Sequence, residues 1–534
     1  MQLLSSVLLL ALLKPHPLRG AVVRPVTKHI TLDIVNGHVA PDGFSRSAVL
    51  ANGTFPGPVI TANKGDTLVV KVNNKLTDNT MRLSTSVDFD GVFIDTPGIY
   101  DEGSPFVTTC PFGPGTSYTY TLPLGTQTGT FWYHSQLSMQ YADGFRAPLV
   151  IYDPADPLAH LYDVDNENTI LTVADWWHNS TIPLLQSYIN TQIIPVADAG
   201  LFNGAGRFNG GPKTKYSVVS VTRNTRYRFR LINMSARSDF MVSIDNHTMT
   251  IIEADGVATT PHTVNILDML AGQRYSVVVT ANQPIGNYWI NTVLGGGNPA
   301  RNLNLNVTLG RGVLHYAGAP NAEPTTPMTL GPANPIPLVE GDLRPLVPEV
   351  PPAPDFNLTF VTSMTANASS PSGFNTQWNI NNVSYISPVI PTLVKILDGA
   401  NSAADFNKTE NTFVFPANKV IQVTFPPSDE DELHPFHLHG NNFWLIKSNA
   451  SEPNFVNPIR RDVAGAGSGG TIVRFTTDKP GPWFFHCHIF WHFNVGLASV
   501  IAGGLEETRE QVHPDDAWDA LCPAYNALPE GEKR

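Results

Sequence analysis

Residues 67–72 read TLVVKV, a short run in which apolar residues dominate and polar residues are interspersed. Such a run is typical of a β-strand, and Gly, Asn and Asp residues bound it on both sides. Comparable runs recur along the chain: SYTYTL (117–122), SVVSV (217–221), YRFRLI (227–232), YSVVVTA (275–281) and VIQVTF (420–425). No long amphipathic helix is apparent, so the pattern predicts an all-β protein built from sandwiches.

Proline-rich stretches indicate where domains meet. The 534 residues suffice for two to four domains of roughly 100–200 residues each. Residues 318–355 are dense in proline and are interpreted as a linker, and a softer boundary follows PLVIYDPADP (148–157). We therefore predict a signal peptide and three sandwich units, with approximate bounds of 1–21, 22–153, 154–320 and 321–534.

The composition excludes two kinds of partner. The formal net charge is -12 and only 15% of the residues are charged, whereas nucleic-acid phosphates require basic patches. Beyond the N-terminus, no stretch of about 18 apolar residues occurs, so a membrane span is not expected. The sequence predicts neither nucleic acid nor a membrane as a partner.

Two signals indicate secretion. The apolar run LLSSVLLLALL in residues 3–13 has the length of a signal-peptide core and is too short to span a bilayer. Ten N-x-S/T sequons follow, which would be unusual in a cytosolic protein. They begin at Asn52, Asn179, Asn233, Asn246, Asn306, Asn357, Asn367, Asn382, Asn407 and Asn449. We expect a secreted, extracellular glycoprotein.

The three cysteines make an odd count for a secreted protein, so one thiol is left over. Cys487 lies between two histidines, which indicates a metal-bound thiolate. Cys110 and Cys522 then remain to form a disulfide across a very long loop. The alternative is that all three are free buried thiols.

A mononuclear copper site is predicted from HPFHLHG (434–440) and HCHIFWH (486–492). One cysteine and two histidines in a trigonal arrangement are the ligands of blue copper, and His434, Cys487 and His492 supply them. The axial position falls on Leu497, which cannot coordinate, so the redox potential should be raised. The plainer alternative is surface histidines beside one buried cysteine.

The same segments hold more histidines than one copper needs. Because neighbours on a strand alternate faces, His486 and His488 both point away from the Cys487 sulfur. His437 and His439 also share one face, and His134 lies in FWYHSQLSMQYADGF (131–145). These five histidines predict a second metal centre, linked to the first through Cys487.

These motifs resemble those of the fungal laccases, which are three-domain multicopper oxidases. The resemblance covers nearly the whole mature chain, and the segments are SAVLANGTFPGPVITANKGD (47–66), GTFWYHS (129–135), YRFRLI (227–232), NYWI (287–290), HPFHLHG (434–440) and GPWFFHCH (481–488). It implies three consecutive cupredoxin-like Greek-key β-sandwich domains. It also implies that phenols and aromatic amines are oxidised at a type 1 copper, and that O2 is reduced to water at a trinuclear copper cluster.

The resemblance also implies roles for individual residues. The type 1 ligands would be His434, Cys487 and His492, with His492 at the substrate pocket. The cluster ligands would be His134, His437, His439, His486 and His488. Glu102 stands near a family aspartate that delivers protons for O2 reduction, or else it is an exposed surface acid. Arg237 occupies a substrate-pocket position where the family often has an acid, and a cation there would favour anionic substrates.

Three cluster ligands are replaced. The family uses eight histidines in four His-x-His pairs, and the first pair corresponds to Asp88 and Asp90 in STSVDFDGVF (84–93). In the second pair, Gln136 stands two residues after His134. A carboxylate suits harder ions than Cu(I), so the predicted cluster is incomplete. The two aspartates either lie solvated on a loop, or face one cavity where a proton or cation must separate them.

Three functions are compatible with this sequence. The first is a secreted laccase-type oxidase of phenolic or aromatic-amine donors, with O2 as acceptor. The second is a non-catalytic or electron-transfer copper protein, which could be the partner of an active oxidase, as a monomer or in a hetero-oligomer. The third is an iron-oxidising relative, which would need acidic residues beside the type 1 histidines, and the sequence does not clearly reveal any.

Overall fold

The computed structural model describes residues 24–366, 369, 375–430 and 432–533. The predicted signal peptide and the sequon at Asn367 lie outside the described residues. Strands dominate this part of the chain, and the prediction of an all-β protein is confirmed.

The N-terminal unit contains two sheets. Its strands are β1 (Thr27–Val39), β2 (Arg46–Ala51), β3 (Ile60–Asn63), β4 (Thr67–Asn74), β5 (Ser117–Pro123), β6 (Gly129–His134) and β7 (Arg146–Tyr152). The sheet orders are β2-β1-β4-β5 and β3-β7-β6. TLVVKV lies in β4, where the alternating residues Leu68, Val70 and Val72 are buried in the core.

The second unit also contains two sheets and one α-helix, α1 (Thr181–Thr191). Its strands are β8 (Ile170–Trp176), β9 (Ala199–Phe202), β10 (Ala205–Gly206), β11 (Val218–Val221), β12 (Arg226–Asn233), β13 (Phe240–Ile244), β14 (Met249–Ala254), β15 (Val257–Val264), β16 (Leu267–Met269), β17 (Arg274–Thr280), β18 (Asn287–Leu294) and β19 (Arg311–Tyr316). The sheet orders are β10-β9-β8-β12-β17-β14-β15 and β11-β19-β18-β13-β16.

The third unit carries the histidine motifs. Its strands are β20 (Phe356–Thr359), β21 (Thr362–Ala366), β22 (Thr376–Ile380), β23 (Thr412–Phe415), β24 (Val420–Phe425), β25 (His434–Leu438), β26 (Phe443–Lys447), β27 (Arg460–Arg461), β28 (Val463–Ala466), β29 (Thr471–Thr476), β30 (Gly481–Cys487) and β31 (Ala498–Gly503). Its helices are α2 (Thr392–Leu397), α3 (Phe490–Phe493), α4 (Leu505–Gln511), α5 (Asp516–Asp519), α6 (Leu521–Ala527) and α7 (Glu530–Lys533). The sheet orders are β20-β24-β29-β26-β27, β23-β31-β30-β25-β28 and the hairpin β21-β22.

Short 3-10 helices connect the strands. They span Thr96–Asp101, Gln140–Asp143, Ala159–Leu161, Glu167–Thr169, Pro299–Arg301, Val307–Leu309, Glu340–Asp342, Ala403–Asp405 and Lys408–Glu410. No α-helix in the described ranges is long and apolar enough to cross a membrane.

The three units repeat one topology. In each unit, one strand near the start pairs in parallel with a later strand: β1 with β4, β8 with β12, and β20 with β24. A second parallel pair closes the other sheet: β3 with β7, β11 with β19, and β23 with β31. Parallel neighbours need crossover connections, which is the Greek-key arrangement expected of cupredoxin-like sandwiches.

The segment predicted as a linker (318–355) is hydrogen-bonded to the second unit. Its backbone bonds to β15 and the following turn, with Thr260 N donating to Arg344 O at 2.9 Å and Leu338 N donating to Ile266 O at 3.1 Å. The predicted disulfide is present and joins Cys110 of the first unit to Cys522 in α6, while Cys487 is a free, buried thiol. The disulfide therefore links the first unit to the C-terminal helices of the third.

Candidate metal centres

Strands β25 and β30 place the two histidine motifs side by side. They run antiparallel, with Phe436 opposite Cys487 and His437 opposite His486. Because side chains alternate along a strand, Cys487 and His437 project from opposite faces of this sheet. One pair of strands therefore builds two sites, back to back.

The predicted mononuclear ligands converge on the first face. The Cys487 Sγ lies 3.6 Å from His434 Nδ1 and 3.9 Å from His492 Nδ1, and the two Nδ1 atoms are 3.2 Å apart. His492 belongs to the one-turn helix α3, which folds back over Cys487. All three side chains are buried, as is Leu497, which has no donor atom to offer.

The protonation of these groups suits a metal. His434 donates from Nε2 to the Glu430 carboxylate, which leaves the Nδ1 lone pair facing the sulfur. Burial raises the pKa of the Cys487 thiol well above its ordinary range, so a bound cation is needed to hold the thiolate. Burial also lowers the pKa of His492 well below its usual value, which keeps the ring neutral. This donor set fits a single copper of the blue type.

A cavity of about 460 Å³ opens beside His492 and His434. Trp378 forms one wall, with its ring centroid 4.4 Å from that of His492 and 4.8 Å from that of His434. The His492 Nε2 has no hydrogen-bond partner among the described residues. The ring of His492 therefore separates the cavity from the Cys487 sulfur.

Arg237 lines this cavity, as the sequence predicts, but its charge is not free. Its guanidinium forms two hydrogen bonds to the Glu432 carboxylate, each 3.0 Å long. This bidentate pair offsets the charge of Arg237. The expectation that a cation here favours anionic substrates stays a prediction.

Two acidic residues beside the mononuclear site were not predicted from the sequence. Glu430 contacts His434, and Glu432 lines the same cavity. The signal was present in SDEDE (428–432), which directly precedes the histidine motif. A run of exposed acids is usually a solvated surface, and only the fold turns these two side chains toward the site.

The second centre contains three groups of donors, and the first comprises Asp90, His134 and His488. The Asp90 Oδ2 is 3.1 Å from His488 Nε2 and 3.7 Å from His134 Nε2. The segment that carries the aspartates runs beside β6, because Asp88 and His134 exchange backbone hydrogen bonds of 2.9 and 3.0 Å.

The second group comprises His439, His486 and Gln136. The Nε2 atoms of the two histidines are 3.1 Å apart, and the Gln136 amide nitrogen lies 3.1 Å from His486 Nε2. Glu102 is buried and accepts a hydrogen bond from His439 Nδ1, so it is not an exposed surface acid. Burial would raise the pKa of Glu102, but His439 outweighs burial and lowers it.

The third group centres on His437. Its Nδ1 donates to the Asp462 carbonyl at 3.1 Å, and its Nε2 is 3.9 Å from Asp90 Oδ2. Burial alone would lower the pKa of His437, but Asp90 and Asp462 raise it to about 9. These acidic neighbours therefore favour the protonated form of the His437 ring.

Asp88 and Asp90 are both buried, which excludes the interpretation that they lie solvated on a loop. Burial, together with Glu102 and Asp90, raises the pKa of Asp88 well above its usual value. Burial would also raise the pKa of Asp90, but His437, His134 and His488 outweigh burial and hold it well below. The pKa values of these two close buried acids are therefore displaced in opposite directions, and Asp88 holds a proton more tightly than Asp90 does.

These donors do not fit a three-copper cluster. The first group offers two imidazoles and a carboxylate, the second two imidazoles and an amide, and the third one imidazole among ion-paired carboxylates. Arg274 already binds both Asp462 oxygens, at 2.6 and 2.7 Å.

Three family models described as multicopper oxidase match residues 33–156, 167–319 and 385–504. Laccase-2 of Agaricus bisporus is 45% identical over 513 residues, covering 94% of this chain and 95% of the relative. Laccase-4 of Trametes villosa is 42% identical over 517 residues, covering 95% of each.

Solved structures agree with these relatives. The laccase from Botrytis aclada has a TM-score of 0.83 at 30% identity, covering 96% of this chain and 94% of its own. Fet3p, a multicopper oxidase that functions in iron import, has a TM-score of 0.82 at 26% identity, covering 95% and 96%. The family models span most of the chain, and the cupredoxin-like fold and the blue-copper donor set accord with them. The chain therefore belongs to the multicopper oxidase family, and its similarity is to the fungal laccases.

Proposed function

We propose that this laccase-like protein takes single electrons from small phenolic or aromatic-amine donors at one copper held by His434, Cys487 and His492. The observation that carries this proposal is the position of His492, whose ring lies between the cavity and the sulfur. A copper bound there supplies the one-electron acceptor. A donor in the cavity can contact the edge of this ring.

The cavity residues prepare a donor for oxidation. Trp378 offers an aromatic face against which a phenol ring can pack. A phenol loses a proton when it is oxidised, and the carboxylates of Glu430 and Glu432 lie in the same cavity to take it up.

The electron leaves through the backbone of Cys487. The two flanking residues, His486 and His488, are covalent neighbours of the cysteine and face the second centre. In the family this is the route toward O2. We propose O2 as the final acceptor, as the similarity to laccases implies.

A second candidate function is an electron-carrying copper protein that reduces O2 slowly or not at all. The specific observation in its favour is the occupation of ligand positions by Asp90 and Gln136, which bond to His488 and His486. Both candidates share the donor reaction and differ only in the acceptor.

One spectroscopic experiment distinguishes the two candidate functions. A phenol added without O2 to the copper-loaded, oxidised chain should bleach the blue absorption band. Admission of O2 then restores the band, with O2 uptake, if the chain is an oxidase, whereas a carrier stays bleached. A band that neither phenols nor aromatic amines bleach would contradict the donor reaction itself.

We further propose that the chain is secreted and glycosylated, which the sequons support. Asn233 is an exception, because its side chain is buried and donates to Ser238 O and Met269 O at 2.9 and 2.8 Å. Glycan release should lower the mass of the secreted chain, and peptide mapping should find no glycan on Asn233.

A further inference from the structure

The second centre, where three family histidines are replaced, still contains an ordered set of buried donor atoms. Asp90, His134 and His488 are all buried, and each aims one donor atom at a common point. The Asp90 Oδ2 lies 3.1 Å from His488 Nε2 and 3.7 Å from His134 Nε2. Ligands bound at roughly 2.0–2.1 Å in a tetrahedral site lie about 3.3 Å apart, so these separations suit one bound ion.

The His134 ring is fixed in the tautomer that a metal requires. Its Nδ1 donates to the Ser135 carbonyl at 3.0 Å, which leaves the lone pair on Nε2. That Nε2 has no hydrogen-bond partner within the described part of the chain, although the side chain is 1% exposed. An unpartnered, buried lone pair is costly unless a cation or donor meets it.

A second hydrogen bond orients the Asp90 carboxylate. Its Oδ1 accepts from Arg274 at 3.2 Å, and this leaves Oδ2 to face the two histidines. Gly91 makes the approach of the arginine possible, since its φ is 79° and a Cβ there would lie 2.1 Å from Arg274 Nη2. Ligating carboxylates are commonly oriented by such a second hydrogen bond.

We propose that Asp90, His134 and His488 bind a single divalent metal ion, of the kind that two imidazoles and one carboxylate select. Zinc sites with three protein ligands and ferrous sites both use this set. The carboxylate is hard and anionic, which disfavours Cu(I). The site uses none of the mononuclear copper ligands and is independent of the proposed donor reaction.

Cobalt titration tests this site directly. In a Cys487→Ser chain, which lacks the blue site, one Co2+ per chain should bind with visible d–d bands, and Zn2+ should displace it. Asp90→Asn and His134→Gln should each weaken binding at least about ten-fold. Gln136→Ala is the matched control, because the Gln136 amide bonds to His486, which is not one of the three proposed ligands, and this variant should bind Co2+ like its parent.

Competition between Fe2+ and Zn2+, without O2, then tells which ion the site prefers. The His134→Gln variant leaves the Asp90–Arg274 pair intact, so its result does not depend on that contact. In the chain with Cys487, loading with one equivalent of copper and then with zinc should give about one of each metal per chain. Three results would overturn the proposal: copper near four per chain, no Co2+ binding, or unchanged Co2+ affinity in both ligand variants. The blue absorption band tests the mononuclear donor site separately.

Discussion

Asp90 differs from an imidazole ligand in charge as well as in donor atom. A neutral ring at this position would leave Arg274 and His437 with less negative charge nearby, whereas the carboxylate pairs with both. The same carboxylate gives the cavity an anionic, hard ligand. A substitution of this kind therefore changes which ion is held and also fixes the protonation of the histidine beside it.

Asp101 provides a test of pH-dependent stability. Burial raises its pKa from 3.8 to about 6, although Tyr118 OH and Thr121 N donate to it. The folded chain therefore holds this proton more tightly than the unfolded chain, and stability falls as pH rises from about 4 to about 6. Asp101→Asn resembles the protonated acid and should gain on the order of 2 kcal/mol at pH 7.5.

The stability gained by Asp101→Asn should vanish near pH 4, where Asp101 is largely protonated in both the folded and the unfolded chain. Thermal unfolding of parent and variant at the two pH values measures the difference. Asp33→Asn, whose carboxylate pairs with Lys75 at the surface, should give no gain at either pH. An equal gain for Asp101→Asn at both pH values would show that relief of the buried charge is not the cause.

Arg237 provides a test of substrate charge. Arg237→Met should free Glu432 and make the cavity more negative by one charge. A charge interaction of about 1 kcal/mol corresponds to roughly a five-fold change, so KM should fall for a cationic aromatic amine and rise for a sulfonated phenol. Glu432→Gln should shift both KM values in the opposite direction, and a neutral phenol should be least affected.

At the scale of elements, one strand serves both centres. Strand β30 turns Cys487 to one face and His486 to the other, so a single peptide step joins the donor site to the second centre. The loop after β12 contributes the cavity wall, and Asp175 anchors it by accepting from the backbone of Ala236, Arg237 and Ser238 at 2.9–3.1 Å.

Asp175→Asn tests that anchor. Arg146 also donates to this carboxylate, at 3.2 Å, and both side chains are fully buried. An amide offers one acceptor where four donors converge, so the variant should lose about 3–5 kcal/mol of stability and raise KM through the displaced loop. Asp163→Asn removes an exposed Arg226 pair and should change stability little. Similar denaturation curves for both variants would contradict the anchoring role.

At the scale of the molecule, all three units meet at the second centre. Asp90 belongs to the first unit, Arg274 to the second and Asp462 to the third, and the arginine binds both acids. The proposed metal site and the contact between the units therefore share Asp90.

Restoration of the missing histidines tests whether ligand loss controls O2 reduction. Asp88→His, Asp90→His and Gln136→His together should raise copper content to about four per chain and increase O2 uptake with a phenol. Arg274 keeps Asp462 as its partner in this variant. A gain in copper without O2 uptake would mean that other residues also limit the reaction.

The sequence alone predicted the features that depend on local order. Alternating runs such as TLVVKV predicted the sandwich strands, because the side-chain period of a strand is two. The spacing of His434, Cys487 and His492 predicted the mononuclear donor set, which the structure brings together. The disulfide was predicted because Cys110 and Cys522 were the two cysteines left over.

Features that depend on contacts between residues far apart in sequence were decided only by the tertiary structure. Whether Asp88 and Asp90 were solvated depended on how the loop packs against β6 and Arg274, residues far apart in sequence. The charge of Arg237 depended on Glu432, which lies 195 positions away. Burial and pairing set the charge of an acid or base, and neither can be derived from its neighbours along the chain.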